Sequence, residues 1–129
     1  MIAPPAGAAA GLIGLALLLG AIDRAETCEV RISGGWASVR GGHGTIYVAR
    51  NGEPCGDTIY AAPADKISAS ALRLAAAPAH GVVTIAGASF AYRPKPGFSG
   101  EDRFALVGTG VNRNGRLLRL RGLITVIVR

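Results

Sequence analysis

Residues 90–106 read Phe-Ala-Tyr-Arg-Pro-Lys-Pro-Gly-Phe-Ser-Gly-Glu-Asp-Arg-Phe-Ala-Leu, and this segment carries the strongest fold signal in the chain. Large apolar side chains recur at every second position at both ends, as they do in half-buried strands. Proline, which lacks a backbone donor, and glycine, which permits positive φ, interrupt the middle. The stretch therefore predicts a strand, a proline-guided loop, a tight glycine turn and a second strand.

A two-residue period also marks the C-terminal end of the chain. Aliphatic side chains share one parity and arginines share the other, which predicts a strand with one buried and one solvated face. Gly122 interrupts this alternation, and we expect a β-bulge there. The predicted buried set is Leu118, Leu120, Ile124, Val126 and Val128, and the solvated set is Arg119, Arg121, Thr125 and Arg129.

Short β-rich runs separated by turn residues fill most of the remaining chain, and no capped helical period is sustained. Asn-Gly pairs at 51–52 and 114–115 predict hairpin turns. Residues 41–44 predict a flexible loop. Residues 67–74 are rich in alanine and allow a short helix, but their context favours a strand. An all-β fold follows. The other predicted strands are 29–33, 36–40, 45–49, 57–60, 82–85 and 89–92.

The N-terminal segment differs from the rest because residues 2–22 carry no charged side chain. This composition predicts the hydrophobic region of a secretory signal. Cleavage after Ala21 or after Ala25 leaves an unfavourable residue at the −3 position. An uncleaved anchor stays open, since about 20 apolar residues can span a bilayer, and a helix buried in the domain is a third alternative. We expect a signal peptide or anchor helix over 1–25 and one exported domain over 26–129.

Both cysteines, Cys28 and Cys55, follow the apolar segment. An even number of cysteines in an exported chain favours a disulfide. The bridge would close a loop of roughly 27 residues and stabilise the fold by about 3 kcal/mol; two buried free thiols are the alternative. There is no Cys-x-x-Cys pair, and His43 and His80 lack ligand spacing, so we expect neither a metal site nor a cofactor.

The formal net charge is +6, and arginine supplies most of the positive side chains. If the arginines near the last hairpin share a face, they would bind phosphate or carboxylate groups through bidentate hydrogen bonds. Alternatively, they keep an edge strand soluble. Nucleic acid is not an expected partner, since export separates the two and no aromatic residues alternate with the arginines. The candidate anion-binding residues are Arg103, Arg113, Arg116, Arg119 and Arg121.

Three consecutive motifs occupy residues 78–104, namely Pro-x-x-Gly-Val-Val, Phe-x-Tyr-x-Pro and Gly-Phe-x-Gly-x-Asp-x-Phe. With the β-rich end that follows, the region over 78–128 resembles the second half of bacterial Ig-like and cadherin-like repeat domains. The resemblance implies an antiparallel β-sandwich with a structural or adhesive role. Only one copy is present, so adhesion by tandem repeats does not carry over. The matching residues are Pro78, Gly81, Val83, Phe90, Tyr92, Pro94, Gly97, Phe98, Gly100, Asp102 and Phe104.

These motifs have physical roles that can be stated from residue type. Phe90 and Tyr92 share one strand parity, so we expect their rings, with that of Phe104, to fill the space between two sheets. Pro94 and Pro96 stiffen the connection, and the glycines at 97 and 100 permit positive φ.

Asp102 is suited to accept hydrogen bonds from loop amides. Many cadherin-like domains bind calcium between repeats, but calcium requires six to eight oxygen ligands. The sequence near Asp102 offers only Glu101, so a structural role is expected instead.

The sequence contains no Gly-x-Ser-x-Gly elbow, phosphate-binding loop or dinucleotide motif, and we expect no catalytic residues. The predicted protein is a non-enzymatic Ig-like module, periplasmic or secreted, with a structural or protein-interaction role in the cell envelope. Its partner is an unidentified envelope protein. The alternative is an anionic envelope polymer bound by the arginine-rich hairpin. Membrane contact is expected only through an uncleaved segment at 2–22.

Overall fold

The computed structural model describes residues 28–50 and 53–129. These residues form ten strands and a short 3₁₀ turn, so the all-β prediction is confirmed. No helix in this part of the chain is long and apolar enough to cross a membrane. The predicted signal or anchor over 1–25 and the turn at 51–52 lie outside the described residues. The strands are β1 (Cys28–Ile32), β2 (Gly42–Val48), β3 (Cys55–Thr58), β4 (Tyr60–Ala62), β5 (Ile67–Ser68), β6 (Ala71–Ala76), β7 (Gly81–Ala86), β8 (Ser89–Pro94), β9 (Gly100–Val111) and β10 (Leu117–Val128).

Two sheets contribute side chains to a common core. The larger sheet has the order β1-β2-β10-β9-β6, the smaller has the order β3-β8-β7, and β4 pairs with β5. Neighbouring strands are antiparallel except for β2 and β10, which run parallel. Most of the domain connects β2 to β10, as a parallel pair requires a long crossover.

The aromatic residues of the 90–106 stretch lie between these sheets. Phe90 and Tyr92 belong to β8 of the smaller sheet, and Phe104 belongs to β9 of the larger one. The ring centroid of Phe104 is 5.6 Å from that of Phe90 and 6.0 Å from that of Tyr92. All three side chains are buried, as their strand parity predicted. Such rings supply a large share of the apolar area in a small core.

The alternation predicted for β10 is confirmed, but the bulge at Gly122 is wrong. The pairing of β10 with both neighbours runs without a shift through Gly122, which lies opposite Gly42 of β2. A Cβ atom at either glycine would lie 2.5 Å from the ring of Trp36. The two glycines therefore leave the space that the buried Trp36 indole fills.

Trp36 also explains why two predictions upstream of β2 are wrong. Residues 36–40 form turns, not a strand, and β2 already begins at Gly42, inside the predicted loop over 41–44. The amides of Ser38 and Gly41 donate to carbonyl groups three residues earlier, at 3.0 and 3.1 Å. These turns fold the indole back over the core, which overrides the β propensity of Trp and Val.

Two further predictions are confirmed in the first half of the domain. The alanine-rich segment 67–74 forms strands β5 and β6, not a helix. Cys28 and Cys55 form a disulfide with a Cα–Cα distance of 5.5 Å. This bridge joins β1, an edge strand of the larger sheet, to β3, an edge strand of the smaller sheet.

Candidate binding face

The outer face of the five-stranded sheet brings three arginines together. Arg121 of β10 pairs with Val107 of β9, and Val107 pairs on its other side with Arg73 of β6. Arg119 pairs with Thr109 in the next row. Directly paired residues project to the same side of a sheet. Arg73, Arg119 and Arg121 therefore project from the outer face of the sheet, opposite the core, and all three residues are exposed.

A groove of about 800 Å³ runs over these rows, and we call it the arginine groove. Its floor comes from β9 and its sides from β6, β10 and the turn that follows Trp36. The lining residues are 37–39, 71–73, 107–109, Leu117 and 119–121.

The arginines of the groove have no carboxylate partner among the described residues. The ion pairs in residues 28–50 and 53–129 join Glu29 to Arg31 and Glu101 to Arg103, the latter at 2.8 Å. At the other end of the same face, Arg31 and Arg129 lie over the ring of Tyr47. The arginine groove therefore brings together three arginines that form no ion pair among the described residues.

Only part of the predicted arginine set converges there. Arg119 and Arg121 line the groove, whereas Arg103 lies further along the sheet in its ion pair with Glu101. Arg113 and Arg116 belong to the turn between β9 and β10. That turn is organised by the Asn112 side chain, whose Oδ1 accepts hydrogen bonds from the amides of residues 114 and 116.

Arg73 is the groove residue that the sequence did not single out. It lies between Leu72 and Leu74, and the alternation of β6 would have marked it as outward-facing. No local signal indicates that β6 pairs with β9, and this pairing is what places Arg73 beside Val107.

Exposed aliphatic side chains border the positive charge. Leu117 precedes the two groove arginines on β10 and is 65% exposed, and it pairs with Val111, which is 37% exposed. Val39, on the turn that lines one side of the groove, is 87% exposed. The face therefore combines guanidinium groups with an apolar patch, a composition that differs from an evenly charged, solvating surface.

Protection of a sheet edge does not account for Arg121. The amide of Arg121 donates to the carbonyl oxygen of Trp36 at 2.9 Å, and from Gly122 onward β10 lies between β2 and β9. A strand bonded on both sides presents no free edge to protect.

Asp102 forms a contrasting, closed polar site at the other end of the sheet. Its Oδ1 accepts hydrogen bonds from the amides of Ala79 and Arg103 at 3.0 and 2.9 Å. Its Oδ2 accepts hydrogen bonds from the His80 amide at 2.9 Å and the Tyr92 hydroxyl at 2.8 Å. The loop hydrogen bonds predicted for Asp102 are present, and its contact with Tyr92 also joins the two sheets.

The protonation of this pair follows from its surroundings. Burial favours a higher pKa for Asp102, but the hydrogen bonds from Tyr92 and the three amides outweigh it and lower the pKa. Burial raises the pKa of Tyr92, and its hydrogen bond to Asp102 and the negative charge there raise it further. The carboxylate stays charged and the phenol stays protonated at neutral pH.

The loops and strand ends around Asp102 contain several of the residues that carry the family resemblance. The His80 ring stacks on Phe98 with centroids 4.3 Å apart, and Gly97 and Gly100 have φ values of +82° and +129°. A Cβ atom at Gly81 would overlap the Tyr92 ring. Packing and hydrogen bonding in one corner thus account for these residue types. In the described part of the chain, no group of three or more His, Cys, Asp or Glu residues is placed to hold a metal ion.

Comparison with known proteins adds no family assignment, because no family model and no curated protein matches the chain. The resemblance of residues 78–128 to Ig-like repeats stays a prediction, and the arginine groove has to be interpreted from its own geometry.

Proposed function

We propose that this protein is a non-enzymatic Ig-like β-sandwich module of the cell envelope that binds a protein partner through the arginine groove. The observation that carries the proposal is the combination, on one open face, of Arg73, Arg119 and Arg121 without carboxylate partners and an exposed aliphatic patch. Arginine is enriched in protein interfaces, and contiguous exposed apolar area marks an interaction surface.

The composition of the groove favours a protein over a polymer of rings. None of its lining residues is aromatic, so it offers no flat surface on which a ring could stack. Its apolar contribution comes instead from Val39, Val107 and Leu117, which suit the aliphatic side chains of a polypeptide.

The disulfide supports a location outside the cytoplasm, because such bonds persist in oxidising compartments. We propose a periplasmic or secreted protein, free or anchored by residues 2–22. Cys28 lies in the row that contains Val128, whereas Arg119 lies about 30 Å away along β10. An anchor preceding Cys28 would therefore join the domain at the end of the sheet that lies away from the groove.

Capture from an envelope extract tests the proposed protein partner. The immobilised full chain should retain one envelope protein at moderate salt, and an Arg119→Gln, Arg121→Gln variant should lose it. An Arg113→Gln, Arg116→Gln variant is the matched control, because it removes the same charge from the same hairpin outside the groove. Equal capture by the groove variant and the parent protein would reject the groove as the binding site.

An anionic envelope polymer is the second candidate partner, favoured by the three guanidinium groups that have no acidic neighbour among the described residues. Heparin and anionic lipid vesicles are suitable probes at moderate salt, since attraction between charged groups weakens as salt is added. If an Arg119→Ser, Arg121→Ser variant elutes from heparin together with the parent protein, this candidate fails.

The proposed export can be examined independently of any partner. The mass of the mature protein, measured with and without reductant, reports removal of the N-terminal segment and the disulfide in one experiment. A full-length, reduced protein recovered from the cytosol would contradict the export part of the proposal.

A further inference from the structure

We infer that the arginine groove binds an extended peptide segment with two carboxylate side chains two residues apart and an aliphatic side chain two residues beyond the second one. The inference rests on the proposed protein-binding function and specifies the chemistry of the partner segment. The pattern is acid-x-acid-x-aliphatic, where x is any residue.

The first support is the spacing of side chains along β10. Arg121, Arg119 and Leu117 occupy alternate positions, so their side chains leave the outer face at intervals of about 6.7 Å. A second extended chain lying along β10 presents its own same-face side chains at the same interval. Two acids and one aliphatic residue at alternate positions can therefore meet all three side chains in register.

The second support is the arrangement of charge across the groove. Arg73 and Arg121 flank Val107 in one row and are separated by two strand spacings, about 10 Å. A carboxylate above Val107 lies between two long cationic side chains. The planar guanidinium group binds carboxylates in bidentate geometry, which favours a discrete acid over diffuse negative charge.

The third support is the exposed apolar side chain at the end of the row formed by Arg121, Arg119 and Leu117 on β10. Leu117 and Val111 form an exposed pair next to Arg119, and Val39 projects from the adjoining turn. Covering this patch removes apolar area from water, which favours binding. A polyanion without apolar groups would leave the patch exposed, so the patch selects for an aliphatic side chain at the third position.

The test uses a fluorescent synthetic peptide with the order aspartate-serine-aspartate-serine-leucine, and its binding to the full chain is followed by anisotropy. One control peptide has the same composition but carries leucine between the two aspartates. Another control replaces both aspartates with asparagine. We expect the ordered peptide to bind at least about fivefold more tightly than the permuted one and the asparagine peptide to bind weakest.

Protein variants assign the three contacts. Arg119→Gln, Arg121→Gln should weaken binding of the ordered peptide by about tenfold or more, since each charge-assisted hydrogen bond contributes substantially. Arg73→Gln should weaken it less. Leu117→Ser should abolish the preference for the ordered over the permuted peptide while leaving binding of the permuted peptide unchanged. The Arg113→Gln, Arg116→Gln control should bind as the parent protein does.

Other outcomes separate this inference from the proposed function. Equal affinity for the ordered and permuted peptides would overturn the inference and favour the polymer candidate. Groove-dependent capture of an envelope protein without peptide binding would also overturn it, but would leave the proposed function standing. Circular dichroism establishes that each variant folds. If an Arg→Gln variant does not fold, the Arg119→Lys, Arg121→Lys variant replaces it, because it keeps the charge but loses the bidentate geometry and should still weaken binding.

Discussion

Two polar regions at opposite ends of the five-stranded sheet differ in how their charges are satisfied. The Asp102 carboxylate is buried and accepts four hydrogen bonds from groups that the fold itself supplies. The guanidinium groups of Arg73, Arg119 and Arg121 are exposed and form no ion pair within the described residues. The first region holds the domain together, whereas the second leaves its charge available. The hydrogen-bond partners of Asp102 thus come from within the fold, whereas the charges of the arginine groove have no such partner among the described residues.

The largest expected change in stability comes from the buried Asp102 region. Asp102→Asn should lower the free energy of unfolding by about 3 kcal/mol, since an amide NH₂ group would face backbone donors that now bind a buried carboxylate. Urea denaturation at neutral pH measures the change. The exposed Asp57→Asn substitution is a matched control and should have little effect, although Asp57 also accepts an amide hydrogen bond. A change below about 0.5 kcal/mol for Asp102→Asn would contradict the structural role of the carboxylate.

Acidification should remove part of the same stabilisation. The pKa of Asp102 is lower in the folded chain, so the residue stabilises the fold above its unfolded pKa of about 3.9. This contribution is lost as the pH falls through the folded pKa. Denaturation midpoints measured from pH 7 down to pH 2 should therefore fall more steeply for the parent protein than for Asp102→Asn. Parallel curves for the two proteins would show that other carboxylates dominate the acid response.

A smaller effect is expected from the partner of Asp102 on β8. Tyr92→Phe keeps the ring between the sheets but removes its hydrogen bond, and we expect a loss of about 1 kcal/mol in unfolding free energy. Tyr47→Phe on the outer face is the control, because it makes the same chemical change at a partly exposed ring. If both substitutions cost the same, the hydrogen bond between the sheets contributes nothing measurable.

The smallest effect on stability should come from the exposed arginine groove. Arg119→Gln, Arg121→Gln should change the free energy of unfolding by less than about 0.5 kcal/mol, as is usual for exposed side chains without specific partners. Thermal and urea denaturation measure it. A destabilisation above about 1 kcal/mol would mean that these arginines serve the fold, and the contrast between the two regions would disappear.

Much of the architecture was predictable because a strand with one buried face shows alternating apolar and polar residues in its sequence. The parity of β10 and of the 90–106 stretch identified the buried side chains correctly, and turn chemistry located the loops between them. The cysteine pair was also predictable, since an even number of cysteines after a segment with the composition of a secretory signal favours a disulfide.

The errors lie where a single side chain acts over a long distance in sequence. The sequence around Trp36 predicts a strand and the sequence around Gly122 predicts a bulge, because both predictions rest on adjacent residues alone. In the fold, the indole of Trp36 covers Gly122 and Gly42, which face each other on paired strands. No local pattern predicts that two glycines so far apart vacate space for one tryptophan.

The residues of the arginine groove also differ in whether local sequence predicts their position. Alternation alone established that Arg119 and Arg121 point into water, because the period of an extended chain is a local property. Only strand pairing joined Arg73 to them and placed Leu117 beside Val111. Which strands become neighbours depends on how the whole core packs, so the chain sequence determined the faces of its strands and the tertiary structure determined which faces became one surface.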